Sequence, residues 1–130
     1  MSLINKKILI IIGGGISAYK ALDLIRMLKK NNTNVKTILT KSGKEFVTPL
    51  SLTTLTKNRV FEDIFNKETE AEIDHISLSR WADIIVVLPT TANFMTKLSH
   101  GKADDLASTV ILASNKDILL APAMNIRMWE

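Results

Sequence analysis

His75 and His100 are the only side chains in this sequence whose ordinary pKa lies near neutrality. His75 stands between Ile73 and Ile76 with Asp74 beside it. An imidazole there could take or give a proton near neutral pH. The same setting also suits a structural or surface histidine. His100 precedes Gly101 at an expected helix end, where an imidazole complements the helix dipole. Neither has a second histidine or a cysteine at ligand spacing, which argues against a metal site. The sequence contains no cysteine, so it offers no disulfide, no thiolate ligand and no cysteine nucleophile.

A second kind of chemistry is suggested by glycine. Gly13 to Ala18 fits G-x-G-x-x-A, after an apolar run and before a helical pattern. Such a turn lets the backbone approach a ligand and points free N–H groups of the helix at an anion. The competing reading is a tight turn needed only for packing. A dinucleotide would call for an acidic residue about 20 positions further on, to hold the ribose. The second strand instead ends in Thr40-Lys41-Ser42, without a carboxylate. Hydroxyls and a lysine suit a phosphate better than a ribose diol. This points away from NAD and toward a mononucleotide such as FMN, while Lys41 or Lys44 leaves NADP open.

Two further segments have the same character. Thr90-Thr91-Ala92-Asn93 follows an apolar run and offers hydroxyls, an amide and backbone N–H groups, although Asn93 could equally be a helix cap. Ala121-Pro122-Ala123-Met124-Asn125 closes the last apolar run, and Asn125 is either a substrate ligand or a turn residue.

These segments need strands and helices to bring them together. Ile84 to Leu88 is an unbroken apolar run that predicts a strand buried on both faces in the middle of a parallel sheet, ended by Pro89. Ile8 to Ile12 predicts a second such strand, Val35 to Leu39 a third and Ile118 to Leu120 the last. Ile16 to Lys30 has helical spacing through Ala18, Leu22, Ile25 and Leu28, and Asn31-Asn32 ends it. Pro49 breaks or starts a helix whose apolar side is Leu50, Leu52 and Leu55. Val60 to Phe65 is a short strand or an irregular connection, and Lys67 to Glu72 is expected to be exposed. Ile73, Ile76 and Leu78 alternate loosely before the central strand. Asn93 to Ser99 and Asp104 to Ala113 predict two more helices, separated at Gly101. Strands alternating with helices give an α/β fold: one flavodoxin-like or Rossmann-like doubly wound parallel sheet. Open sheets of this kind bind ligands at the carboxyl ends of their strands.

Bulk properties agree with one globular domain. At 130 residues, with 46% apolar and 23% charged residues, the chain can bury a substantial core. The net charge of +4 comes from scattered lysines and indicates surface solvation, not a nucleic-acid footprint. Ile8 to Ile12 is too short to span a bilayer or to act as a secretory signal core. A cytoplasmic protein is expected.

Four motifs occur in a fixed order: Gly14-Gly15-Ile16-Ser17-Ala18-Tyr19-Lys20, Asp74-His75-Ile76-Ser77-Leu78, Pro89-Thr90-Thr91-Ala92-Asn93, and Pro122-Ala123-Met124-Asn125 with Met128-Trp129-Glu130. Together they make the sequence resemble the flavin-containing cysteine decarboxylases, most of all the decarboxylase domains of bacterial phosphopantothenoylcysteine decarboxylases of coenzyme A biosynthesis. The resemblance implies FMN as cofactor, contacted by Gly14, Gly15 and Ile16, with Thr40 and Ser42 on its phosphate side. Thr91, Ala92, Asn93 and Phe94 stand at the family's Ser-Ala-Asn-Thr flavin stretch, with Phe94 in place of threonine. Ala123 would lie near the flavin ring, Met124 and Asn125 would bind substrate, and His75 would be the catalytic acid/base.

The implied reaction oxidises the cysteine thiol to a thioaldehyde, releases CO₂ and returns the electrons, giving 4′-phosphopantetheine. The family also implies a homotrimer or homododecamer with the flavin between subunits, so that His75 acts on a neighbour's flavin. Family members continue past the Met-Trp pair into a substrate flap that carries a cysteine. The sequence therefore reads as an FMN-binding decarboxylase domain over 1–130 that stops before the flap. Other functions compatible with the resemblance are peptidyl-cysteine decarboxylation, flavin prenyl transfer and a non-catalytic flavin-binding regulatory role.

Overall fold

A computed structural model describes residues 2–62 and 68–129, with side chains left out for 68–74, 128 and 129. The elements follow in the order β1 (Lys7–Ile12), α1 (Tyr19–Lys30), β2 (Asn34–Leu39), α2 (Pro49–Thr56), β3 (Val60–Glu62), α3 (Glu68–Trp81), β4 (Ile84–Thr90), α4 (Ala92–Ser99), α5 (Leu106–Ala113), β5 (Asp117–Pro122) and α6 (Ile126–Trp129). The five strands form one sheet in the order β3-β2-β1-β4-β5, and every pairing is parallel. The expected doubly wound α/β architecture is the observed one. β1 occupies the middle, with β4 beside it.

Alternation along β1 explains the two layers. Ile8, Ile10 and Ile12 face one core with Ala18, Ala21, Ile25 and Leu28 of the α1 side and Leu52 of α2. Leu9 and Ile11 face the other core with Leu78 and Ala82 of the α3 side, Phe94 of α4 and Leu106, Ala107, Val110 and Ile111 of α5. A strand covered on both faces has no place for a polar residue, hence the unbroken runs. Burying each of these isoleucines contributes about 1.5–3 kcal/mol before the entropy of ordering is subtracted.

Several elements differ from expectation. Pro89 does not end β4, which continues to Thr90. The pairing of β4 with β5 shifts register between Val87 and Thr90, so the missing Pro89 N–H falls in the irregular stretch. The loosely alternating segment before β4 is helix α3. Its alternation misleads because Ile76 is exposed, while Leu78 and Ala82, four apart, face the core. The first turn after the glycines, Ile16–Ala18, is 3₁₀ and only then gives way to α1. α2 starts at Pro49 behind the Thr48 cap, and Leu50 points to solvent while Leu52 is buried. Val60 to Glu62 is a strand, and the rest of the segment to Phe65 lies outside the described residues, as does the exposure expected of Lys67 to Glu72. The residues after β5 form the short helix α6, which the sequence pattern did not suggest.

Candidate functional site

The chain runs from β1 outward through β2 to β3, then crosses back to β4 on the other side of β1. The carboxyl ends of β1 and β4 therefore diverge, and a crevice opens between the segments that follow them. A cavity of about 340 Å³ lies here, lined by Gly13 and Gly14 after β1, Thr40, Lys41 and Ser42 after β2, Thr91 after β4, and Asn93, Phe94 and Lys97 on α4. Asp104 and Asp105, before α5, complete the wall.

Close approach of backbone explains the first two glycines. A Cβ on Gly13 would lie 2.5 Å from the Pro89 carbonyl oxygen. One on Gly14 would overlap the Ser42 Cβ. Both positions are closed to side chains by the protein itself, so packing alone is a sufficient reason for glycine there. Gly15 is different: its backbone is extended, with φ −165°, and a Cβ would meet only the Pro89 ring at 3.4 Å.

Thr40 is buried, and its hydroxyl is already committed. It donates to the Ile12 carbonyl at 3.0 Å and accepts from the Gly43 N–H at 3.0 Å. These bonds fasten the end of β2 to the end of β1, and one lone pair remains for a ligand. Lys44 forms an ion pair with Glu62 at 2.7 Å, which occupies one of the two lysines that left NADP open.

At the end of β4, Thr91 and not Asn93 is the N-cap of α4, its hydroxyl accepting from the Phe94 N–H at 3.1 Å. Asn93 sits one position into the helix and lines the cavity, so its amide is not spent on capping. The α4 N-terminus brings its N–H groups to the same wall. The Phe94 ring is buried in the α3–α5 core beneath it.

Lys97, Asp104 and Asp105 were not singled out from the sequence. Lys97 Nζ lies 3.1 Å from Asp104 Oδ1 and 3.2 Å from Asp105 Oδ2. Asp105 is also the N-cap of α5: its carboxylate accepts from the Ser108 N–H at 2.8 Å, and its own N–H donates to Ser108 Oγ. Partial burial disfavours the Lys97 charge, but hydrogen bonds to and attraction from both carboxylates outweigh it and hold the ammonium above the usual lysine range. The hydrogen bond from Lys97 holds Asp104 below the usual carboxylate range, against some desolvation. The signal that could have found this group is the spacing of Asp104-Asp105 and Ser108 ahead of an apolar run, a capping-box pattern.

The remaining expected residues do not line this cavity. Ile16 is 81% exposed beside the glycine turn. Ala92 opens α4, and the Ala123 N–H donates to the Thr90 carbonyl at 3.1 Å, holding the end of β5 against the end of β4. Met124 is half-buried and Asn125 exposed in the loop before α6. His75 is half-buried on α3, the helix that packs on α5. Among the described residues no helix is long and apolar enough to cross a membrane, and no group of three or more acidic or histidine residues could hold a metal ion.

Strand ends carrying glycine, hydroxyls and an amide meet around the switch point of a doubly wound sheet, the place where α/β proteins of this class bind their ligands. Comparison with known proteins narrows the class. The chain belongs to the Flavoprotein family, whose model matches residues 2–130. It is 44% identical over 130 residues to the coenzyme A biosynthesis bifunctional protein CoaBC of Haemophilus influenzae, covering 100% of this chain and 32% of that one. The chain thus spans about a third of the length of the curated relatives it matches. Its fold is similar to the FMN-dependent cysteine decarboxylase SpaF, with TM-score 0.88 and 29% identity over 98% of this chain and 74% of that one. It is also similar to a C175S mutant of a PPC decarboxylase complexed with pantothenoylaminoethenethiol, with TM-score 0.80 and 29% identity over 96% and 70%. The resemblance drawn from the motifs therefore holds at the level of the family.

Proposed function

We propose that this chain is the flavin-binding part of an enzyme of coenzyme A biosynthesis, acting in the FMN-dependent decarboxylation of 4′-phospho-N-pantothenoylcysteine to 4′-phosphopantetheine. The observation that carries the proposal is the cavity at the switch point, where Gly14, Thr40, Ser42, Thr91, Asn93 and Phe94 meet. Its size falls in the range of roughly 300–1,000 Å³ usual for small-molecule sites. The donor set fits a singly phosphorylated flat ligand. Ser42, Thr91 and the α4 N-terminus would hold the phosphate side, and the rest of the cavity would take the ring. Gly15, Ile16, Ala92 and Ala123 border the same strand ends and would complete the cofactor contacts.

FMN, when bound, supplies a two-electron oxidant and takes part in the return of those electrons. Oxidation of the substrate thiol to a thioaldehyde places a C=S group β to the carboxylate. CO₂ then leaves, and the electron pair left on carbon is delocalised onto sulfur as an enethiolate. Protonation and the return of two electrons give the aminoethanethiol product. In this scheme Asn125 and Met124 hold the substrate carboxylate end, and His75 takes up and delivers the proton. His75 does not line its own chain's cavity, so in this scheme it serves a neighbour's site within a homotrimer or larger homo-oligomer.

The test is direct. Purified protein mixed with FMN is expected to show a bound-flavin absorption spectrum, and the loaded protein to release CO₂ from phosphopantothenoylcysteine. His75→Asn is expected to keep the yellow colour and lose decarboxylation by at least about 100-fold, the scale of general acid–base catalysis. Normal decarboxylation by that variant would remove His75 from the mechanism. The similarity to the peptidyl-cysteine decarboxylase EpiD, with TM-score 0.79 and 28% identity over 97% of this chain and 74% of that one, favours a second reading, a peptide with a C-terminal cysteine as substrate. Release of CO₂ from such a peptide and not from phosphopantothenoylcysteine would decide for it.

A further inference from the structure

The cavity described above is lined by four charged side chains: Lys41, Lys97, Asp104 and Asp105. Two carboxylates on the wall of a site for a phosphorylated ligand are an electrostatic problem, since like charges disfavour one another at close range. Asp105 cannot turn away, because its carboxylate is fixed by the capping box of α5. Its side chain is 17% exposed, so water screens it poorly. Lys97 is 20% exposed and contacts both carboxylates, whereas the other partner of Asp104, Lys102, is more distant at 3.6 Å and well exposed.

We propose that Lys97 is a positioning residue for anion binding: it neutralises the carboxylates of Asp104 and Asp105 that share the cavity with the strand ends, and so sets the preference for a phosphorylated flavin over its unphosphorylated form. With Lys97 in place the lining charges balance. Without it one negative charge is left over on the wall of the cavity. Lys97 need not touch the phosphate, because its charge acts through the two carboxylates it holds. The inference rests on the FMN reading and extends it to a selectivity that the reaction itself does not require.

The experiment is a pair of fluorescence titrations, with FMN and with riboflavin, on the wild-type chain and its variants at low and high salt. Lys97→Met is expected to weaken FMN binding about tenfold at low salt and riboflavin binding less than about twofold, with the difference shrinking as salt is raised. Lys97→Arg keeps the charge and is expected to retain the wild-type ratio. Adding Asp104→Asn to Lys97→Met is expected to recover most of the lost FMN affinity. Asp104→Asn alone is expected to bind FMN at least as tightly as wild type and to raise its preference for FMN over riboflavin. Equal weakening of both flavins by Lys97→Met would make Lys97 a merely structural residue and overturn the inference. So would weaker FMN binding by Asp104→Asn, which holds even if the lysine variant fails to fold. Wild-type protein that binds riboflavin and FMN equally well would overturn the inference while leaving flavin binding intact. Folded wild-type protein that binds neither would overturn the FMN reading and this inference with it.

Discussion

Gly13 and Gly14 sit where three loops converge, and the atoms against them belong to the protein: the Pro89 carbonyl and the Ser42 side chain. Gly13→Ala forces a methyl against a backbone oxygen that cannot swing aside. The expected cost is about 1–3 kcal/mol, read as a lowered urea midpoint at unchanged slope. Thr40 is the complementary case. Thr40→Val keeps the shape and removes two buried hydrogen bonds, leaving the Gly43 N–H without its hydroxyl partner while the Ile12 carbonyl keeps only the backbone N–H of residue 40. A loss of about 1–3 kcal/mol is expected in the same measurement. At this scale the sequence told residue type but not employment. Thr40 was expected on the phosphate side and Asn93 was open to two roles, and the outcome lies in which neighbour took the hydrogen bond first. Thr40 is tied to Ile12, whereas Thr91 caps α4 and releases Asn93 toward the cavity.

Two helices are joined by one cation. Lys97 in the last turn of α4 reaches Asp104 and the α5 cap Asp105, across the break at Gly101, whose φ of +65° favours glycine. Asp105→Ala removes the capping box and is expected to destabilise the protein by about 1 kcal/mol or more in thermal or urea unfolding. The link also has a pH signature. Asp104 is held below its ordinary value of 3.8 in the folded state, so its contribution is present above that pH and is lost as pH falls through the lowered folded value. Stability between pH 2 and 5 is therefore expected to fall less steeply in Asp104→Asn than in wild type, by urea unfolding across that range (about those limits). Helix α3 was the element least legible in the sequence. Among its described residues only Leu78 and Trp81 pack on the core, and exposed Ile76 blurred the helical period into an apparent alternation.

Across the whole molecule, apolar surface is left uncovered near the glycine turn. Ile16, Tyr19 and Leu50 are exposed, and Tyr19 shares a groove between α1 and α2 with Ser51 and Leu55. A second exposed stripe runs along the edge strand β5 at Ile118, Leu119 and Leu120. Unpaired edges and apolar patches are unusual on monomers. They support the proposed oligomer, with flavin sites near protomer contacts. Light scattering on the FMN-loaded protein is expected to give a trimer or a multiple of it, and Tyr19→Glu to shift the mass toward monomer. A monomeric wild-type protein would remove the neighbour's histidine from the proposed mechanism.

Local sequence determined the strands, their parallel arrangement and the polar character of their ends. Unbroken β-branched runs between helical periods have few other ways to bury both faces. What only the tertiary structure decided was the company each end keeps. β1 took the middle of the sheet, the crevice opened between β1 and β4, and Lys97 met the two aspartates on the cavity wall. The first two relations join residues distant along the chain and are fixed by crossover direction and packing, on which local periodicity carries no information, whereas the third joins near neighbours in sequence across the break at Gly101.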